Sequence, residues 1–400
     1  MDPNLFAVLG TLALLTRFGH TLHIMGAVRA RSVAAVAARS LIGTACLVLL
    51  TFVAGQACVK VFNDPLSAGG NVIARYFVSP GAFLCIVSLA LLPASLIGGA
   101  TAERARVRGL LLITIVITFL IAPLLAWAGY HLVGEIEGNA PSIGLLGPLI
   151  ISHLVAATSG LALARAIGPR VGKYNRDGSA NFIPAHSLPT MITGDLLLLI
   201  GLPMLAAALG DQPASRVVNS LLAASAATLV TVIVSTVRVG RFDIMQPWSA
   251  VIAGSVCGSL SAAESPLLAI GLGGIVGALL PTFAVKMDLR LHVDETSGLA
   301  VPHLLGAALG SLGAATAPYF GASLPPYPMW RAVAAMSASV ATIVLVSIVA
   351  TTLLALLLKR LGWLRVDEQT EQEGLDLAQH DINAYPDFQQ TMIKSYHLRQ

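Results

Sequence analysis

The chain has 400 residues, of which 56% are hydrophobic and 11% charged, with a formal net charge of +4 and a mean hydropathy of +0.80. A soluble domain carries roughly 25% charged residues, so this composition excludes an ordinary soluble enzyme and describes a polytopic membrane protein. The positive charge sits in short loops between apolar runs, which excludes a basic nucleic-acid-binding domain and leaves no nucleic-acid partner.

The opening residues, MDPNLFAVLGTLALLTRFGH, lack a basic start and a small-residue cleavage site and read as a first span, not a removed leader. A bilayer crossing needs roughly 20 apolar residues. Such runs fall near 4–25, 34–57, 80–101, 109–132, 142–164, 187–209, 215–237, 248–263, 266–285, 298–317 and 332–358, which predicts eleven crossings. The eighth, VIAGSVCGSLSAAES, is short and rich in Gly and Ser, and a packed half-span is its alternative reading. Alternate loops carry Arg29 and Arg31, then Arg104, Arg106 and Arg108, then Arg165, Arg170, Lys173 and Arg176, then Arg238 and Arg241, then Lys286 and Arg290, then Lys359, Arg360 and Arg365. Lys60, Arg75, Arg216 and Arg331 fall on the other side, so the positive-inside rule puts the N-terminus out and the C-terminus in.

Eleven crossings divide into two halves of five, about 4–164 and 187–317, plus the last helix 332–358. Two five-span halves enter the membrane from opposite sides, the arithmetic of an inverted repeat. The fifth and tenth spans are then counterparts, and each carries a histidine ahead of small residues: His153 and His303. A histidine in an apolar span is either a hydrogen-bonded packing residue or part of a wet path. Two at equivalent places favour a shared pore-lining pair. Gly306 and Gly310, four residues apart, suit close helix packing.

Two charges stand inside spans. Arg17 in the first and Asp195 in the sixth lie at similar depth in counterpart helices, which predicts a buried ion pair, with a substitute cation or proton site as the sharper alternative. His20 and His23 flank this region without a third ligand, so no metal site is expected. Glu103 reads as a helix-end residue pairing locally with arginine. Cys46, Cys58, Cys85 and Cys257 have no metal or redox spacing, and the glycines of GLGGIVG lie in an apolar span, where packing explains them. No catalytic triad, kinase or nucleotide pattern appears; neither an enzyme nor a cofactor is expected. Beyond the membrane domain at 1–365, the tail 366–400 is acidic, with Asp367, Glu368, Glu371, Glu373, Asp376, Asp381 and Asp387 against Lys394 and Arg399. That balance argues against anchoring on anionic lipid.

Several stretches together resemble the ammonium transporter, methylammonium permease and Rhesus family: GAVRARSV, ATAER, SHLVAATSGLALARAIGPRVGK, HSLPTMITG, GLGGIVG, LRLHVDE and LRVDEQTEQEGLDLAQHDINAYP. The chain is similar to a divergent, bacterial-type member. The resemblance implies an all-α integral membrane protein of eleven helices in a homotrimer in the cell (inner) membrane, each protomer with a narrow apolar pore. At mid-pore it implies twin hydrogen-bonded histidines, which fall on His153 and His303. It also implies a tail packed across the inner faces, where a PII-type signalling protein can meet it. The chain departs from the family pattern at the pore mouth and gate. Leu89 and Leu205 stand at the gate phenylalanines, Leu209 at the hydroxyl, and Gly129 at the recruiting tryptophan, beside Trp127 and Tyr130. Leu145 and Gly298 replace the acidic residues before the two histidines. The resulting expectation is a channel or transporter that passes ammonia better than it concentrates ammonium. The alternatives are a transport-deficient ammonium sensor or scaffold on the same fold, and a channel for another small neutral solute.

Overall fold

A computed structural model describes residues 2–62, 80–126, 147–241, 244–261, 265–320 and 327–386, together with 263, 324 and 325. Regular structure among them is helical: α1 (Pro3–Ala13), α2 (Leu15–Ala27), α3 (Val33–Phe62), α4 (Pro80–Ala100), α5 (Val107–Val116, continued by a π turn at Ile117–Ile121), α6 (Gly147–Ile167) and α7 (Leu188–Leu209). There follow α8 (Pro213–Val239), α9 (Met245–Leu260), α10 (Pro266–Leu291), α11 (Ala300–Thr316), α12 (Met329–Arg360), and the short tail helices α13 (Glu368–Glu373) and α14 (Leu375–His380).

Among the described residues, 10 helices are long and apolar enough to cross a membrane, α1 and α2 counting as one broken at Leu14. The run expected as an eighth crossing is α9, of 16 residues. At 1.5 Å per residue it reaches about 24 Å, short of a hydrocarbon core of about 30 Å. Gly and Ser account for its burial: Gly254 and Gly258 let α9 lie against the backbone of α8, where an added Cβ would come within 2.6 Å of Ala223 O and 2.2 Å of Asn219 O. Outward faces are apolar, with Leu41, Leu229, Ile233 and Leu345 all exposed, as lipid contact requires.

Backbone contact between glycines joins α2 to α7. A Cβ on Gly19 would sit 2.8 Å from Gly194 O, and one on Gly194 would sit 2.4 Å from His23 N. Only glycine permits so close an approach, and it brings the histidines of α2 against Asp195 of α7. On the other side, α11 lies on α9, where a Cβ on Gly306 would meet Ala253 O at 2.5 Å and one on Gly310 would meet Cys257 O at 2.7 Å. Several hydroxyls inside the helices donate to the carbonyl one turn back, as with Ser95 to Leu91 O at 2.8 Å and Ser347 to Ile343 O at 2.7 Å.

The arginine-rich loops gather on one face. Arg104 is fully buried and donates to Gly168 O at 2.8 Å, Thr296 Oγ1 at 2.7 Å and Asp294 O. Arg170 grips Asp294 through Nε and Nη2, both at 2.9 Å. Burial alone would raise the Asp294 carboxyl, but the hydrogen bonds from Arg170 and the charges of Arg104 and Arg170 overcome it and hold the carboxyl at about 2. Glu103, expected to pair locally, instead accepts from Arg29 of the first loop and from Arg170 at 2.9 Å. Its φ of 73° turns the chain away from the neighbouring arginines and toward those loops. The tail docks on the same face of its own chain. Glu371 accepts from Val171 N at 2.7 Å and Arg365 at 2.8 Å, Asp376 accepts from Ala34 N and Ala35 N at 3.0 and 2.7 Å, and Tyr385 lies 2.8 Å from His186 Nε2.

Candidate functional site

Three helices bring three imidazoles into one row. His153 Nδ1 of α6 lies 2.9 Å from His303 Nδ1 of α11, and His303 Nε2 lies 3.1 Å from His20 Nε2 of α2. His20 Nδ1 lies 2.7 Å from Thr16 O. All three rings are buried, and each neighbouring pair has its centroids 5.0 Å apart.

Hydrogen-bond logic fixes the protons along this row when all three rings are neutral. A carbonyl oxygen can only accept, so His20 carries its proton on Nδ1 and its Nε2 is bare. His303 must then donate through Nε2–H, which leaves its Nδ1 bare. His153 must donate through Nδ1–H, so its Nε2 ends the row as an acceptor. That nitrogen has no partner among the described residues. One backbone carbonyl therefore sets three tautomers and delivers a bare lone pair at the far end, able to accept one N–H.

The charges expected to pair do not meet. Asp195 Oδ1 lies 2.5 Å from His23 Nδ1, while His23 Nε2 donates to Ser297 O at 2.8 Å. Arg17 donates to Thr44 Oγ1 at 2.9 Å, Ser95 Oγ at 2.8 Å and Ser40 O at 2.8 Å. The physical reason is the helix phase. His23 is two turns from Thr16 on the face of α2 that the glycine contacts press against α7, whereas Arg17 faces α3 and α4. The buried acid thus belongs with histidine, the two sharing one proton, and Asp195 Oδ2 is left without a partner among the described residues.

Leu205 and Leu209 are buried and share one apolar cluster with Leu154, against which the half-buried Leu89 packs. The carbonyl of Leu89 accepts from Ser152 Oγ at 3.0 Å, which ties Leu89 to the residue before His153. Trp127, Gly129, Tyr130 and Leu145 lie outside the described residues. Gly298 has a φ of 73° and lines a cavity of about 530 Å³ on the arginine-rich face, together with Glu295, Ser297, Val301 and Pro302. The left-handed backbone there favours glycine over the acid that the resemblance would place. Burial raises the Glu295 carboxyl despite hydrogen bonds from Ser297 and Ala300 N. Among the described residues no cluster of His, Cys, Asp or Glu is placed to hold a metal ion.

His153 and His303 stand out in the sequence as counterparts in the two halves, whereas His20 has no counterpart to mark it. The sequence signal for it is the pair His20 and His23, one turn apart in an apolar span whose counterpart carries an acid.

The model of the Ammonium Transporter Family matches residues 5–385. Ammonium transporter Amt2 of Haloferax mediterranei is 29% identical over 96% of this chain and 90% of its own length. Ammonium transporter Amt1 of the same organism is also 29% identical, over 97% of this chain and 81% of its own. Among solved structures, one described as a sensor Amt protein superposes with a TM-score of 0.82 at 23% identity, covering 95% of this chain and 98% of that one. Candida albicans Mep2 gives 0.74 at 21% identity over 96% and 90%. At these identities the structural likenesses speak for the fold.

Proposed function

We propose, for a chain that belongs to the ammonium transporter family and is built as a multi-pass membrane protein, that it passes neutral ammonia through the histidine row, with His153 Nε2 as the acceptor that receives the substrate. The observation that carries this reading is the unbroken order Thr16 O, His20, His303, His153. An unpaired ammonium ion in a dry apolar span is costly, whereas ammonia needs only one hydrogen-bond partner on its way. A proton released at His153 can shift through His303 to His20. There it stops, because Thr16 O cannot take it, and it returns the way it came. Ammonia crosses and the proton stays behind.

The surroundings in this reading are an eleven-helix inverted repeat with the arginine-rich face toward the cytoplasm, as the positive-inside rule supports. The cavity beside Gly298 is then the inner vestibule. A homotrimer in the inner membrane, and a PII-type protein meeting the docked tail, complete it. Uptake of ammonia into proteoliposomes tests the reading: the wild type passes it, and His153→Ala passes much less while keeping its fold.

One observation favours a second reading, a transport-deficient sensor or scaffold. Both ring nitrogens of His303 are occupied, by His20 on one side and His153 on the other. A row closed at two of its three rings suits a site that holds ligand more than one that conducts it. Wild-type protein that binds ammonium but carries no flux at any pH selects this reading. Flux of a different small neutral solute without ammonia flux selects the channel alternative.

A further inference from the structure

Arg17 and Arg39 border one small cavity inside the membrane domain, between α2, α3, α4 and α5. Its volume is about 40 Å³, and its polar lining is Arg17, Thr21, Arg39, Ser40 and Ser95. No carboxylate lines it, and neither arginine takes part in any ion pair among the described residues. The tail's Asp376 at the start of α3 is close enough to act on Arg39 by charge, but it makes no salt bridge with it: its two oxygens take the backbone N–H groups of Ala34 and Ala35. Both arginines are buried, at 6% and 8% exposure. Positive charge at this depth needs a counter-charge or a wet path.

The donors left over are those of the guanidinium groups. Arg17 commits Nε, Nη1 and Nη2 to Thr44, Ser95 and Ser40, which uses three of its five N–H bonds. Arg39 commits Nη2 to Gln379, and its Nε is buried with no partner. The hydroxyls do not compete for an acceptor. Ser95 donates to Leu91 O, and Thr21 and Ser40 bond each other at 2.5 Å. The site thus offers N–H donors and positive charge to an acceptor that is absent from the protein. One water needs roughly 10–15 Å³ of such space, so the cavity has room for a halide with a water beside it.

We propose that this cavity is a binding site for a small monovalent anion, chloride in ordinary buffers, held between Arg17 and Arg39 away from the histidine row. The anion supplies the counter-charge that Asp195, engaged by His23, does not.

The test uses the full chain purified in detergent. Crystals grown in sodium bromide and measured at the bromine absorption edge are expected to give an anomalous peak inside the cavity, within hydrogen-bond reach of Arg17 and Arg39. Melting temperature is expected to rise by several degrees when gluconate is replaced by chloride at constant ionic strength, since a ligand that binds the folded state stabilises it by mass action. In Arg39→Gln this chloride response is lost, and so is the bromide peak. Should that variant not fold, the wild-type bromide map still decides. A cavity without a bromide peak, or a melting temperature indifferent to chloride, overturns the proposal and assigns the space to water.

Discussion

His20 Nε2 lies 3.1 Å from His303 Nε2, so the histidine of the tenth predicted span is held from both sides and the row in the membrane has three members. This contact carries the tautomer order back from His153 to a single backbone carbonyl. With ¹⁵N-labelled histidine, solid-state NMR is expected to find His20 and His153 protonated on Nδ1 and His303 on Nε2. In His20→Phe the constraint disappears, and the His303–His153 pair populates both orders. An unchanged single order in that variant would remove Thr16 and His20 from the account.

Removing the imidazole altogether has an energetic cost. In His20→Ala, His303 Nε2 loses its buried partner, and stability is expected to fall by roughly 1–3 kcal/mol from that term. Chemical denaturation in detergent measures it. A change within error would mean that water replaces His20 at no cost.

Asp195 answers to His23 and not to Arg17. Breaking the 2.5 Å pair from either side is expected to cost about 3–5 kcal/mol if the partner's charge is left buried. His23→Ala and Asp195→Ala should therefore be strongly non-additive. Arg17→Gln combined with Asp195→Asn, which share no partner, should add within about 0.5 kcal/mol. Strong coupling between Arg17 and Asp195 would restore the ion pair that matched depths suggested.

On the arginine-rich face, the Asp294 carboxyl is depressed from 3.8 to about 2 in the folded protein. A folded pKa below the unfolded one gives stability that is present above the unfolded value and lost as pH falls through the folded value. The contribution is about 2 kcal/mol, an order-of-magnitude figure. Melting temperature should drop between about pH 4 and pH 2 by more in the wild type than in Asp294→Asn. Parallel curves would show that Arg170 does not hold this carboxyl.

The tail makes a separate test. Asp376 caps the start of α3 by accepting from Ala34 N and Ala35 N. Asp376→Ala is expected to cost about 1 kcal/mol as a lost helix cap, and a chain ending at Val366 should melt lower still. Unchanged melting of both would mean that the tail rests on the membrane domain without supporting it.

What the sequence disclosed, and what it withheld, follows from the range of the forces involved. Apolar runs gave the helices because lipid demands that each span satisfy its own backbone. His153 and His303 could be paired because they stand at matching places in two halves of the chain. The partners of Arg17 and Asp195 were not legible, since depth along a helix says nothing of rotation about it. Rotation is set by glycine contacts such as Gly19 on Gly194, visible only once the helices meet. The reach of Glu103 to Arg29 and Arg170 was hidden for a related reason: its left-handed backbone is not a preference of glutamate but is imposed by the loops that close on it. Met245–Leu260 was ambiguous because Gly and Ser serve a short packed helix and a crossing equally well.

The most direct test of the account records current and internal pH together in proteoliposomes after an ammonium jump, at several external pH values. Neutral ammonia passing His153 predicts internal alkalinisation without current, at a rate that rises with external pH as the ammonia fraction grows, and its loss in His153→Ala. A saturable inward current that does not depend on external pH would contradict it.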